Sequence, residues 1–337
     1  MKNVKTLTIA GNPNVGKSTV FNKLTGMKQH TGNWSGKTVE NSKGYFTHNN
    51  QKYEIIDIPG TYSLIATSKD EQVASDFICF KDTYKIIIVC DATALEKNLP
   101  FVLQTLEARK NVVLCINMLD EANKKNIHID INKLQKILNI DISYISAKKN
   151  KSIDDLLNKI EKNNNNNGYT VKYNEKIEHC LLLLQNSIKN IDTKNLSKKF
   201  ICLKILEEDF EFIKNIQNYI NYNLLDDDNI IKAFIQAKNV LNENNINLTD
   251  EITKQIYKDC KKIIDETVTF NNKNYNEINI KIDNYLTSKK FGIPIMLLLL
   301  GLVFWITIIG ANYPSSFLAN LFFSLEHNLK NVQTCGN

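Results

Sequence analysis

Gly11-Asn12-Pro13-Asn14-Val15-Gly16-Lys17-Ser18 follows the run KTLTIA (5–10), which reads as a strand, and opens a stretch near 17–25 that reads as a helix. The octapeptide fits GxxxxGK[ST] in the strand–loop–helix setting that gives this pattern its meaning. Its glycines let the backbone wrap a phosphate chain with the N–H groups turned inward. Lys17 brings a cation to the outer phosphates, Ser18 offers a hydroxyl to Mg2+, and the following helix adds the positive end of its dipole. Gly11, Asn12, Asn14, Val15, Gly16, Lys17, Ser18 and Thr19 are therefore the expected phosphate cradle.

Further motifs follow in order, each at the end of an apolar run. Asp57-Ile58-Pro59-Gly60 ends YEIIDI. An aspartate there can hold the magnesium shell through water, and Gly60 can donate its N–H to a terminal phosphate. Alone, Asp-x-Pro-Gly is a common turn; about forty residues past a phosphate loop it gains weight. Asn117-Met118-Leu119-Asp120 ends VVLCIN. A carboxylate accepts two hydrogen bonds from guanine, from N1–H and the amino group. Adenine presents the reverse polarity and would leave the buried carboxylate unpaired, which discriminates by on the order of 1,000-fold or more. Ser146-Ala147-Lys148 follows the next strand, where backbone N–H groups can reach the guanine O6. Together these imply GTP/GDP binding with Mg2+, with Asn117 and Asp120 on the base side and Ser18 and Asp57 on the metal side.

Around these motifs, the runs 84–90, 112–117 and 141–145 read as strands, and stretches near 98–110, 130–138 and 153–162 as helices. Residues 44–48 and 52–58 read as a hairpin about Asn49-Asn50. Strands alternating with helices predict an α/β domain over 1–162, with a mostly parallel sheet covered on both faces and the hairpin as its antiparallel edge. Five asparagines, Asn163–Asn167, open a linker over 163–169. Residues 170–270 read as an all-α domain of four or five helices. Ile177, Leu181, Leu184 and Ile188 recur on one face, and Thr249 is the expected cap of a helix bearing Ile252, Ile256 and Ile263. After a polar linker over 271–290, FGIPIMLLLLGLVFWITIIGA begins an uncharged stretch that predicts a transmembrane helix over 291–312. Lys289 and Lys290 place its N-terminal side in the cytoplasm. Residues 313–337 carry an apolar stripe (Phe317, Leu318, Leu321, Phe322, Leu325).

Composition narrows the class. The chain has 337 residues, 43% hydrophobic, 23% charged and a formal net charge of +6, enough apolar matter for large cores and too little charge excess to indicate a nucleic-acid partner. The seven cysteines form no CxxC pair, and the five histidines are scattered, so neither supports a disulfide frame or a zinc site. The first apolar run contains lysine and leads into a glycine loop, unlike a signal peptide.

GNPNVGKST, DIPGTYSL, NMLD and SAK resemble the motifs of translation-factor-related GTPases. GNWSGKTVE (32–40), DIPGTYSL (57–64) and DATALEKNL (91–99), with a helical region and an apolar segment behind them, resemble the ferrous iron transport protein B family over nearly the whole chain to about residue 330. The resemblance implies that Lys17, Thr38 and Gly60 serve catalysis, with Thr38 a switch I ligand of Mg2+. It implies that Asn14 helps ligate an activating K+ under a loop formed by Gly32–Gly36, neutralising charge between phosphates as an arginine finger does. Where many small GTPases have glutamine after DxxG, this chain has Thr61-Tyr62, as the family does, which implies slow hydrolysis and a switch rather than a high-turnover enzyme. Met118 replaces the lysine of NKxD and leaves the guanine contact to Asp120. Switch I (about 29–40) and switch II (about 60–75) would order around the γ-phosphate. The family's helical domain favours the GDP-bound form.

Implied too are a bacterial inner membrane location with residues 1–290 cytoplasmic, contact with the lipid bilayer, a permease portion beyond this chain, and small accessory iron-transport proteins as partners. An oligomer is compatible with this. A single membrane helix cannot form an ion path, so no Fe2+ ligand is assigned; His327 and Cys335 lack partner spacing. Two alternatives stand beside this reading: a soluble GTPase of ribosome assembly or tRNA modification, and a membrane-anchored module with a degenerate pocket. The uncharged segment disfavours the first, and intact Lys17, Ser18, Thr38 and Asp57 disfavour the second.

Overall fold

The computed structural model describes residues 4–26, 29–33, 40–64, 69–146, 153–162, 168–270, 282, 285–288 and 290–310. They fall into two compact units, 1–271 and 272–337.

In the first unit the strands are β1 (Lys5–Ala10), β2 (Gln29–Asn33), β3 (Glu40–His48), β4 (Gln51–Asp57), β5 (Lys85–Asp91), β6 (Val112–Asn117), β7 (Ile127–Ile129), β8 (Asp141–Tyr144) and β9 (Val268–Phe270). The helices of the α/β part are α1 (Lys17–Thr25), α2 (Lys69–Phe80), α3 (Leu95–Ala108), α4 (Leu119–Lys124), α5 (Ile131–Leu138) and α6 (Ile153–Glu161). Seven strands form one sheet in the order β2-β3-β4-β1-β5-β6-β8. The β1, β4, β5, β6 and β8 pairings are parallel; β3 runs antiparallel to β4, and β2 to β3. Asn49 and Asn50 both take positive φ (45° and 61°), as a two-residue hairpin loop requires. This is the antiparallel edge expected from the sequence, with one addition: residues 29–33 of the expected switch I pair as an outermost strand.

Strand β5 shows why the sheet lies between two layers. Ile86, Ile88 and Cys90 face one core, and Ile87 and Val89 face the other, all of them 0% exposed. A run apolar on both alternations has no solvent face, the signature of a parallel sheet covered on both sides. One layer includes Val20 and Phe21 of α1 and Leu156 and Ile160 of α6. The other is led by α3, which is buried nearly all round and carries Pro100 in its interior. That helix starts at Leu95, three residues ahead of the expected start, because Pro100 looks like a boundary in sequence while its surroundings hold the turn before it.

Helices α7 (Glu175–Ser187), α8 (Lys198–Leu206), α9 (Phe210–Ile220), α10 (Asp228–Glu243) and α11 (Leu248–Thr267) form an all-α bundle. Ile177, Leu181, Leu184 and Ile188 are each 0% exposed and join the same core as Leu103 and Leu106 of α3, so the bundle packs on the α/β part without a break in apolar contact. Asn174, Asp209, Asp227 and Asn247 cap four of these helices with side-chain acceptors. The cap of α11 is therefore Asn247, which accepts from the Asp250 N–H, and not Thr249. Thr249 lies inside the first turn, where its carbonyl accepts from the Thr253 hydroxyl. Strand β9 returns to pair antiparallel with β7, and the Asp130 N–H donates to the Thr267 carbonyl at 2.8 Å. The asparagine run 163–167 lies outside the described residues.

The second unit contains α12 (Gly292–Trp305), continued by a π-helical turn at Ile306–Gly310. Leu297, Leu298, Phe304 and Trp305 are each more than half exposed. Fourteen helical residues reach ~21 Å at 1.5 Å each, short of a hydrocarbon core of ~30 Å. Among the described residues no helix is long and apolar enough to cross a membrane. The expected crossing segment ends at residues 311 and 312, which, like 313–337 and most of 271–290, lie outside the described residues.

Candidate functional site

The motif residues gather at the carboxyl ends of β1, β4, β6 and β8, where open α/β sheets place their ligand crevice. The loop after β1 is shaped by glycine. Gly11 has φ 143°, and a Cβ there would stand 2.3 Å from the Val89 carbonyl oxygen. Gly16, at φ 88°, occupies the N-cap of α1, and a Cβ on it would stand 2.4 Å from Asn117 Nδ2. That N-cap has no side-chain acceptor, so the first turn of α1 keeps its N–H groups for whatever sits in the loop. Asn14 is exposed on the same loop and has φ 64°.

Lys17 Nζ donates to the carbonyls of Gly11 and Asn12 at 3.1 and 3.0 Å, and Ser18 Oγ donates to Asp57 Oδ2 at 3.3 Å. Burial holds Lys17 below the usual lysine range, although Asp57 pulls it the other way. Burial also lifts Asp57 to about 6, against the opposing effects of Lys17 and Ser18. Both charges are thus under-compensated by each other, which suits a site shaped for further charge. Asp57 Oδ1 is buried without a hydrogen-bond partner. That orphan acceptor beside the Ser18 hydroxyl fits a hard divalent cation of the magnesium kind, which takes one or two carboxylates together with ligand phosphates. Gly60 comes close to Lys17: a Cβ on it would lie 2.9 Å from the ammonium and 2.9 Å from the Pro13 nitrogen. The Thr61 N–H donates to the Gly11 carbonyl at 3.3 Å, tying the two loops together.

On the other side, Asn117 is 4% exposed and donates through Nδ2 to the Val15 carbonyl at 3.2 Å. It therefore braces the phosphate loop. Met118 adopts φ 61° at the N-cap of α4, turning the chain so that Asp120 enters the first helical turn. Ser146 Oγ donates to Asp120 Oδ1 at 2.8 Å, and the Leu119 N–H donates to the Ile145 carbonyl at 3.3 Å. The structure thus brings together Gly11, Asn12, Val15, Gly16, Lys17, Ser18, Asp57, Gly60, Asn117, Asp120 and Ser146. Trp34, Gly36, Thr38, Ala147 and Lys148 lie outside the described residues.

Sequence reasoning missed several supporting contacts. The Asn12 side chain donates to the Lys97 carbonyl on α3 at 3.2 Å. Asn98 accepts from the Asp91 N–H at 2.8 Å, and Asp91 in turn accepts from Thr93. Gln104 accepts from the Ser63 hydroxyl and the Leu64 N–H at 2.9 and 2.8 Å. The string DATALEKNL marked the first of these regions without assigning roles; Gln104 carries no sequence signal. The six described cysteines are all buried, and burial pushes the thiols of Cys79, Cys202 and Cys260 up to about 12, so they act as small core residues.

A glycine-turned phosphate loop after β1, Asp-x-x-Gly after β4 and Asn-x-x-Asp after β6, on a mostly parallel sheet joined to a helical bundle, define a P-loop GTPase domain with an all-α companion. The profile described as Ferrous iron transport protein B matches residues 5–160, and that of the FeoB cytosolic helical domain matches 173–269. The chain belongs to this family. The Fe(2+) transporter FeoB of Staphylococcus aureus (strain MSSA476) is 31% identical over 313 residues, covering 91% of this chain and 45% of that protein. The Escherichia coli (strain K12) protein of the same name is 29% identical over 316 residues, 90% of this chain and 38% of its own length. The chain therefore spans less than half of these curated relatives. Among solved structures, the cytosolic domain of T. maritima FeoB in GDP form I is 30% identical with a TM-score of 0.65, covering 80% of this chain and 100% of that one. The cytosolic domain of L. pneumophila FeoB is 28% identical with a TM-score of 0.64, covering 79% and 100%.

Proposed function

We propose that this chain is the GTP-binding, slowly GTP-hydrolysing switch of a bacterial ferrous iron transporter. The observation that carries it is the convergence of Lys17, Ser18, Asp57 and Gly60 on one side of the crevice with the Ser146-supported Asp120 on the other. A phosphate chain fits the first group and a guanine edge the second, at the two ends one nucleotide must span. Relatives described as Fe(2+) transporters, and a relative's cytosolic domain solved in a GDP form, support the assignment.

In this reading the loop N–H groups and Lys17 hold the β- and γ-phosphates, and Gly60 donates to the γ-phosphate. Ser18 and Asp57, with Thr38 from switch I, would hold Mg2+, which supplies charge neutralisation at the phosphates. Asn14 would help hold K+. Thr61 is fully buried and donates its hydroxyl to the Ser63 carbonyl, so it does not take the place of a water-orienting glutamine. Water positioning then falls to backbone groups, consistent with slow turnover. The segment 291–312 would anchor the chain in the inner membrane, with 1–290 cytoplasmic and the permease in sequence outside this chain.

The test is a nucleotide titration with GTP, GDP and ATP, in sodium and then potassium buffer. Guanine nucleotides should bind at least ~1,000-fold more tightly than ATP, Asp120→Ala should abolish that preference, and Asn14→Ala should remove stimulation of hydrolysis by K+. Equal affinity for ATP and GTP would sink the reading.

A further inference from the structure

DATALEKNL (91–99) is none of the segments that would meet a nucleotide, yet its residues tie the two ends of the crevice together. Along β5 and the residue after it, the N–H groups point by turns to the two neighbouring strands. The Ala92 N–H donates to the Asn117 carbonyl at 2.9 Å, toward β6. The Asp91 N–H, one residue earlier, therefore faces the β1 side. The ladder with β1 has ended by then, at Ala10 and Ile88, because the chain turns off into the phosphate loop. In place of a strand, Asn98 Oδ1 of α3 accepts from Asp91 at 2.8 Å. Asn98 is 4% exposed, and the Asp91 carboxylate accepts from Thr93, so the link to Asn98 is through the Asp91 backbone.

Lys97, the residue before Asn98, gives its carbonyl to the Asn12 side chain at 3.2 Å, and the Asn12 carbonyl accepts from Lys17 Nζ at 3.0 Å. Pro100 removes the N–H that would bond the Glu96 carbonyl, so this first turn of α3 leans on bonds from outside the helix. On the other side, Asn117 Nδ2 donates to the Val15 carbonyl at 3.2 Å. These bonds close a ring from the phosphate loop through α3, the end of β5 and the base-side segment back to the phosphate loop. The tie between Val15 and Asn117 fixes a distance; the second tie, through α3, fixes orientation as well.

We propose that Asn98 is a positioning residue that sets the span between the phosphate loop and the guanine-reading segment. This rests on the nucleotide reading above. Asn98 touches neither end of the nucleotide. It acts by holding the two half-sites in the one register that a joined base and phosphate chain can bridge.

The experiment compares dissociation constants for GDP, guanosine and inorganic pyrophosphate on the full chain. A joined ligand gains from both half-sites only when their geometry matches its length, whereas each fragment needs its own half-site alone. In Asn98→Leu, which keeps the bulk and removes the acceptor, GDP affinity should fall by about tenfold while guanosine and pyrophosphate each stay within about twofold. Asn98→Asp keeps an acceptor in the first turn of a helix, where the dipole favours a carboxylate, and should bring GDP affinity back to within about threefold of the parent. Thermal melts confirm folding, and Asn98→Ala makes the same comparison should Asn98→Leu not fold. Unchanged GDP affinity in the folded variant overturns the proposal. So does a fall in either fragment as large as that in GDP, which would make Asn98 a support of the fold or of one half-site alone. An Asn98→Asp protein as impaired as Asn98→Leu overturns it too. Failure of the unmodified chain to bind GDP is a distinct result, and it removes the nucleotide reading and this proposal together.

Discussion

Ser146 donates its hydroxyl to Asp120 Oδ1 at 2.8 Å, across a gap of twenty-six residues in the chain. The carboxylate expected to read the base is thereby held from the segment just after β8 while its own backbone belongs to α4. A charge-assisted bond of this kind fixes the side chain's rotamer before any ligand arrives. Ser146→Ala should weaken GDP binding by about tenfold, the loss of a hydrogen bond to a charged group, while the guanine-over-adenine ratio falls less than in Asp120→Ala. Calorimetric titration of both variants with GDP and ATP checks it, and unchanged GDP affinity in Ser146→Ala would refute the orienting role.

Asn117 is predicted to act on the phosphate side. Its Nδ2 donates to the Val15 carbonyl and lies where any Cβ on Gly16 would sit. Asn117→Ala leaves the buried Val15 carbonyl without that donor, so stability should fall by ~1–3 kcal/mol. The inorganic pyrophosphate affinity of the loop should fall as well. A variant that loses guanine affinity but keeps both of these properties would place Asn117 on the base alone.

Asp57 should make magnesium dependence sensitive to pH. Burial lifts its carboxyl to about 6, above the ordinary 3.8. A raised carboxyl favours the protonated form in the folded chain, so the ionised ligand is only gained as pH rises through about 6. The enhancement of GTP affinity by Mg2+ should therefore be full above pH 7 and decline below 6. Asp57→Asn should remove the pH dependence and most of the enhancement. A flat profile from pH 5 to 8 in the unmodified protein would argue against it.

Glu107 carries a stability signature. Burial lifts it from 4.5 to about 7; Tyr173 and Lys199 oppose that rise, and Glu207 and Glu178 add to it. The folded state holds the proton more tightly than the unfolded chain, so the protonated carboxyl's contribution is whole below about 4.5. It is lost as pH climbs through about 7. The span is worth at most ~3 kcal/mol. Glu107→Gln should flatten this component and melt at higher temperature than the parent at pH 8. Parallel melting curves across pH 5–8 for the two proteins would exclude it.

Much of the site was legible because its chemistry is local. The phosphate loop, Asp57-Ile58-Pro59-Gly60 and Asn117-Met118-Leu119-Asp120 each sit at the end of a strand whose β-branched run is visible in sequence, and each strand appears where it was read. Helices α2 and α4 were not read. In α2, Asp70, Glu71, Gln72, Ser75 and Asp76 are interspersed with apolar residues, and α4 is a six-residue piece set by the left-handed turn at Met118. Thr249 was read as a cap because threonine before an apolar repeat is a good start signal; Asn247 competes for the same role and wins through its bond to the Asp250 N–H. Strand β2 is Gln-His-Thr-Gly-Asn, without an apolar pattern, and exists because β3 offers it an edge.

The sequence by itself determined the nucleotide-binding class, because a backbone cradle for phosphate demands glycine at fixed positions and a purine-reading carboxylate demands a fixed place after a strand. Tertiary structure alone decided which side chains hold those groups in place: Asn12 on Lys97, Asn117 on Val15, Ser146 on Asp120, Gln104 on Leu64. Each of these pairs joins residues 26 to 102 positions apart. Local spacing carries no information about such contacts, and only the packing of helices on the sheet brings the partners within hydrogen-bond reach.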